Sequence, residues 1–296
     1  MIMLAHHRAV YGTSLVAAVV LGVSGCGTAS GGGSSEARSS TTAKYSTVAA
    51  GKLTIITEYP YPPFEYNDKS GKLTGFEVDL IGAAAKILHL RPVWKNTSNY
   101  GQIFTTVSAG NADIAVGGAY GYAAKGSSSA SKIASRSKIV DFGIPYYSVE
   151  KSVLVNTHTV PASVTSISGL TPKDTCGIEP GSASASWSTD HLGPQGVKFT
   201  QYQSSASMFD ALVAGRLDCV AFDAAATAQL IKTNPKLVRS IQTIASGEEV
   251  TFAYAKDNKA LGKAVNGAIK KTFKNGVYKK IYRKYFPTQA LPTYAR

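Results

Sequence analysis

Acidic residues are scarce in this chain, with 18 Asp and Glu against 31 Lys and Arg among 296 residues. Cysteine is scarcer still, at three. The three histidines beyond the first 25 residues, His89, His158 and His191, are scattered. No Cys/His or Ser/His/Asp arrangement and no metal-ligand spacing can be drawn from so few, so neither a metal nor another cofactor is implied. The apolar run Leu15–Val23 is too short to span a bilayer. What remains is 44% hydrophobic and 17% charged, with 16 tyrosines against 10 phenylalanines and 2 tryptophans. That composition fits a globular chain long enough for one large domain or two small ones.

The apolar run follows two histidines and Arg8 and ends in "VSGC", residues 23–26. A charged start, a short apolar centre and small residues together read as an export signal over 1–25. The closing residues resemble a bacterial lipoprotein cleavage site, with Cys26 as the lipid-bearing residue. The Gly/Ser/Thr/Ala-rich stretch over 26–50 has nothing to build a core from and reads as a tether. An extracytoplasmic protein anchored to the membrane is therefore expected. Cys176 and Cys219 would then sit in a disulfide-permissive compartment, either bridged or as two separate buried thiols.

Two segments repeat one frame: "FTTVSAGNADIAVGG" (104–118) and "FDALVAGRLDCVAFD" (209–223). Each reads as the end of an amphipathic helix, a glycine stop, and a buried strand. Each is preceded by a strand that runs into a turn, "KLTIITEYP" and "DTCGIEPGS", and helices separate the strands. That rhythm predicts parallel β-α-β units, and its occurrence twice at wide spacing predicts two similar α/β lobes. In such sheets a ligand lies beyond the carboxyl ends of the strands, here Glu58–Phe64, Gly117–Tyr120, Glu179–Ser184 and Phe222–Asp223.

The pieces "YPPFEY", "GKLTGFEVDL", "VSAGNADIAVGG", "KIVDFGIPYY", "GIEPGSA", "LVAGRLDCVAFD" and "FKNGVYKKIYRKYF" run in order through the chain. Together they resemble the extracellular amino-acid-binding proteins that feed ABC importers, the solute-binding proteins of family 3. The resemblance implies two α/β lobes joined by two hinge strands, near "PYYSVEKSVLV" and "EEVTFAYAK". It divides the chain into lobe one, 51–148 with 247–296, and lobe two, 149–246. It also places Cys176 and Cys219 on neighbouring strands, within reach of a bridge, and leaves open whether they form one.

The same resemblance implies the site. Arg136, just before "IVDF", would take a ligand carboxylate in its planar fork. Ser182 and Ala183, opening a helix, would add N–H groups to that anion. Asp223 would take an ammonium, although it could equally cap the helix that follows. Gly117 and Gly118 would let the backbone approach the ligand. Tyr61 and Tyr100 would form an aromatic wall, with Phe64 behind it as core. Glu58 stands where binders of basic amino acids carry an acid. The Gly/Ser/Ala-rich stretch 119–135 is longer than the family's connection and is expected to be mobile, which bears on where Arg136 lies.

The expected function is capture of a polar or basic amino acid, as a monomer, for delivery to an ABC permease. The alternative on the same fold is an exported dehydratase acting on prephenate or arogenate, for which carboxylates would have to supply the acid and base. Residues 255–296 hold eleven Lys/Arg against the single acid Asp257. These cations punctuate an apolar helical pattern (Leu261, Val265, Ile269, Phe273, Val277, Ile281), so a solvated helix face is expected rather than a nucleic-acid partner.

Overall fold

In a computed structural model the described residues are 45–295. Cys26, the export signal and most of the expected tether lie outside them. The first half runs β1 (Lys52–Thr57), β2 (Tyr66–Asn67), β3 (Leu73–Thr74), α1 (Phe76–Ile87), β4 (Arg91–Asn96), α2 (Gln102–Ser108), β5 (Ile114–Ala123), α3 (Ala130–Arg136) and β6 (Val140–Phe142). The second half continues β7 (Tyr147–Asn156), β8 (Thr175–Ile178), α4 (Ala183–Leu192), β9 (Lys198–Gln201), α5 (Ser205–Val213), β10 (Cys219–Asp223) and α6 (Ala224–Thr233). The chain closes with β11 (Val238–Ala255), α7 (Lys259–Lys274) and α8 (Val277–Tyr285).

The principal sheet has the order β4-β1-β5-β11-β7-β10-β8-β9, with β6 also on β11. Its two flanks are parallel, β4-β1-β5 on one side and β10-β8-β9 on the other. Between them the long strands β7 and β11 pair antiparallel from Val238–Asn156 to Val250–Tyr147. This is the two-lobed α/β fold, with the two central strands passing between the lobes. The repeated segments become equivalent units, α2 into β5 and α5 into β10, each turning at a left-handed glycine (Gly110 φ 72°, Gly215 φ 70°).

Burial follows the apolar periodicity. Leu261, Val265 and Ile269 of α7 pack with Phe76, Leu80 and Ile81 of α1, so the C-terminal helices cover the first lobe while their lysines face solvent. Helix α8 buries Tyr278 and Tyr282 most deeply; Val277 and Ile281 are only half-buried. Burying whole apolar side chains contributes about 1.5–3 kcal/mol each. In the second lobe Cys176 and Cys219 are register partners on β8 and β10 and form a disulfide, with Cα atoms 4.4 Å apart.

Three expectations need correction. The stretch 119–135 is built into the fold. Residues 119–123 extend β5 along β11, and Ala130–Arg136 is helical. Its tyrosines suit a ladder against β11, and an Ala/Ser/Lys/Arg run is a competent short helix. Gly117–Tyr120 is consequently the middle of a strand, at a kink. The end of the expected tether is also docked: Val48 N donates to Asp113 Oδ1 at 2.8 Å, and Asn258 Nδ2 donates to Ser46 O at 3.0 Å.

Candidate functional site

Strand β1 ends at Thr57, and the next residue, Glu58, is 7% exposed despite its charge. The aromatic turn that follows folds back on itself, with Tyr61 N donating to Glu65 O and Glu65 N to Tyr61 O. Tyr61 stacks on Phe64 (centroids 4.8 Å, 17° between planes) and meets the edge of Phe222 from the other half of the molecule. Phe64 itself is fully buried among Phe76, Tyr147 and Phe286. Tyr100 enters from the turn before α2, its hydroxyl donating to Gly118 O at 2.6 Å.

Gly117 and Gly118 have φ of 89° and 71°, a left-handed pair inside β5 that L side chains seldom adopt. A Cβ at Gly117 would stand 2.4 Å from Thr57 Oγ1. The kink is held by a buried acid: Gly117 N donates to Glu77 Oε2 at 3.1 Å, and Tyr146 OH donates to Glu77 Oε1. Glu65 lies beside Glu77, close enough to act on its titration, with both of its own oxygens buried and without a hydrogen-bond partner. Burial first, and Glu77's charge second, push Glu65 well above the ordinary carboxylate range.

From the second lobe come Glu179, directly after β8, and the start of α4. Ser182 Oγ caps that helix, accepting from Ala185 N at 3.0 Å and donating to Glu179 O at 2.8 Å. Asp223 ends β10 and precedes α6, yet its side chain makes no capping bond. Instead Oδ2 accepts from the hydroxyls of Tyr61 and Tyr120, while Oδ1 takes Lys151 Nζ at 2.5 Å. Lys151, fully buried on β7, also reaches Glu248 Oε2 at 3.2 Å, Ser184 Oγ at 3.0 Å and Tyr120 OH at 3.1 Å. Burial alone would push the Lys151 ammonium down; the two carboxylates reverse this and hold it above the usual lysine range. One cation shared by two buried anions leaves the trio with one net negative charge.

Glu58, Tyr61, Tyr100, Gly117, Gly118, Ser182, Ala183 and Asp223 thus line one cavity, together with Tyr120, Glu179, Ser184, Ser205 and Phe222. Arg136 is not in the lining. It closes α3 at the cavity's edge, Nη2 donating to Gly181 O at 2.7 Å and the guanidinium carbon 4.3 Å from the Phe104 ring centre and 5.4 Å from that of Tyr100. Its Nη1 is buried without an acceptor. The enclosed space is about 20 Å³, room for a single water. An amino acid is far larger than one water, so its entry requires the halves to part.

Sequence reasoning missed Lys151, Glu248 and the Glu65–Glu77 pair, and placed Glu179 and Tyr120 at ligand-facing strand ends without giving either a role. Glu179 had a signal. It is the first residue after the first parallel strand of its lobe, the place Glu58 takes in the other.

The chain belongs to the bacterial extracellular solute-binding proteins, family 3, whose model matches residues 53–288. It is 27% identical over 234 residues to a probable histidine-binding protein of Neisseria gonorrhoeae, covering 78% of this chain and 82% of that one. An ancestral arginine-binding protein solved with arginine superposes with a TM-score of 0.70 at 30% identity, over 80% of this chain and 98% of that one. An ancestral amino-acid-binding protein described as a precursor of cyclohexadienyl dehydratase superposes at 0.67 with 27% identity, over 80% and 96% of the two chains. No helix among the described residues is long and apolar enough to cross a membrane.

Proposed function

We propose that this protein is the solute-binding component of an ABC importer and captures an amino acid with a cationic side chain between its lobes. The observation that carries the ligand class is the charge of the lining: three carboxylates, Glu58, Glu179 and Asp223, and no Lys or Arg. An amino acid of this class brings two cations. Asp223 takes the α-ammonium, while Glu58 and Glu179 take the side chain against the Tyr61 and Tyr100 rings. Its carboxylate meets the free Nη1 of Arg136 and the start of α4. The names of the relatives, with histidine and arginine as ligands, support this reading. Glutamate and aspartate would bring a side-chain carboxylate against Glu58 and Glu179 and are excluded by repulsion. The protein acts by binding, as a monomer, and hands its ligand to a membrane permease. A lipid on Cys26 holds it at the outer face of the membrane. Thermal-shift measurements with the twenty amino acids, ornithine and citrulline test the class: arginine, lysine or ornithine should stabilise, and stabilisation by glutamate alone would contradict it.

A second reading rests on one observation. Burial and the neighbouring Glu58 push Glu179 up to about 9, so at neutral pH it is a protonated acid aimed into the cavity. Such a group could protonate a leaving hydroxyl, as a dehydratase requires. Turnover of prephenate or arogenate by the purified protein would establish that reading, and its absence alongside amino-acid binding would dismiss it.

A further inference from the structure

Glu58 and Glu179 line the same cavity from opposite halves of the molecule, one following β1 and the other following β8. Both are more than nine-tenths buried. Their carboxyl groups are near enough for each to act on the other's titration, and Glu58 Oε2 and Glu179 Oε1, both buried, have no hydrogen-bond partner. The Ser205 amide reaches Glu58 Oε1 at 3.3 Å, at the start of α5. Two buried neighbouring carboxylates repel when both are ionised, so with no cation beside them the pair favours keeping one proton.

We infer that Glu179 is a second specificity determinant, and that a ligand's cationic side chain enters between Glu58 and Glu179 in exchange for the proton they share. In the cation-free pair Glu179 holds the proton and Glu58 is a carboxylate. When an ammonium or guanidinium enters, both groups are carboxylates and the proton passes to solvent. The charge of the pair changes from one negative to two, matched by the incoming cation. This deepens the ligand reading above and rests on it.

The surroundings of the pair are consistent with such an exchange. From β10, Asp223 adds negative charge that favours keeping the proton. Lys151 of β7 is committed to Asp223 and Glu248, the latter on β11. Arg136 of α3 is turned to Gly181 O and the rings of Tyr100 and Phe104. From the turn before α2, Tyr100 is neutral, its hydroxyl held up chiefly by burial, and Tyr61 likewise. No cation therefore stands between the two acids, and burial pushes both upward, with Glu179 the proton holder.

The test is calorimetric titration of the full chain with L-arginine, L-lysine and L-ornithine at pH 7, in two buffers of different ionisation enthalpy. The expected result is release of about one proton per ligand bound, with affinity tightening about tenfold per pH unit between pH 6 and 8. L-Citrulline, neutral and similar in shape to arginine, should release none. In Glu179→Gln, release should fall to near zero and the pH dependence to under about twofold per unit, while Glu58→Gln does the same from the other side. Binding of a cationic amino acid by the wild type without proton release would overturn this inference and leave the ligand reading intact. Equal release from wild type and both variants would overturn it too. If none of the three cationic amino acids binds, the ligand reading itself fails and takes this inference with it.

Discussion

Replacing Lys151 with methionine keeps the volume and removes the charge, which isolates what the buried ammonium contributes. The side chain has no exposed surface, and all four of its polar partners lie inside the fold: Asp223, Glu248, Ser184 and Tyr120. Without it, two carboxylates face each other through a gap with no counter-cation. Breaking a buried ion pair from one side typically costs about 3–5 kcal/mol, because the remaining charge is left uncompensated. For a domain of this size each kcal/mol lowers Tm by roughly 2–4 °C, so Lys151→Met should melt roughly 6–20 °C below the wild type at pH 7. The loss should shrink on acidification, since one of the stranded carboxylates then takes a proton. In the wild type the lysine's raised pKa keeps its contribution intact through neutral pH and releases it only above the ordinary lysine range, as pH climbs through the folded value. Calorimetric melting of both proteins between pH 5 and 8 provides the assay. A Tm within about 2 °C of wild type at pH 7 would refute the reasoning, because it would mean the ammonium is not what holds these strands together.

Stability of the wild type should fall as pH rises from the ordinary carboxylate range toward about 9: Glu179, pushed up to about 9, and Glu65, also raised, bind protons in the folded state that the unfolded chain has lost. Glu65→Gln should flatten that slope in melting curves; a slope unchanged in this variant would remove Glu65 from the account. Reducing the Cys176–Cys219 bridge, which closes a 43-residue separation, should cost about 4 kcal/mol on loop-entropy grounds. A melting temperature indifferent to reductant, or two titratable thiols in the unreduced unfolded protein, would contradict it. Arg136→Ala should weaken ligand binding by about 2–5 kcal/mol, since the ligand carboxylate would lose its charged partner in a buried setting; unchanged affinity in calorimetry would move the carboxylate elsewhere. A lipid precursor fed to cells should label the wild type and not Cys26→Ala, and a released, unlabelled wild type would end the anchoring proposal.

The fold was legible where the signal was local or repeated. "FTTVSAGNADIAVGG" and "FDALVAGRLDCVAFD" each carry a helix end, a glycine turn and a buried strand within fifteen residues, and both folded as read. The stretch 119–135 was misread because small residues look like a linker until a partner strand exists, and β11 lies more than a hundred residues away. The same distance hid Lys151. In "SVEKSVLV" it alternates onto the face of Val149 and Val153, but nothing local supplies a counter-charge for a lysine there. Only the arrival of Asp223 and Glu248 from two other strands makes its burial affordable. Asp223 illustrates the converse: its place before α6 suggested a cap, but two tyrosines and a lysine claim its oxygens. Glu58 was legible from its place after β1, and its partner Glu179 became visible only when the two lobes met.

The account turns on the acidic lining of the cleft, and one comparison tests it most directly. Calorimetric titration of the purified protein with L-arginine, L-lysine, L-glutamine and L-glutamate under identical conditions at pH 7 reads the charge preference without any substitution. The account predicts saturable binding of arginine or lysine, weaker binding of glutamine, and no heat from glutamate. Tight binding of glutamate, or of glutamine in preference to both cationic amino acids, would contradict it.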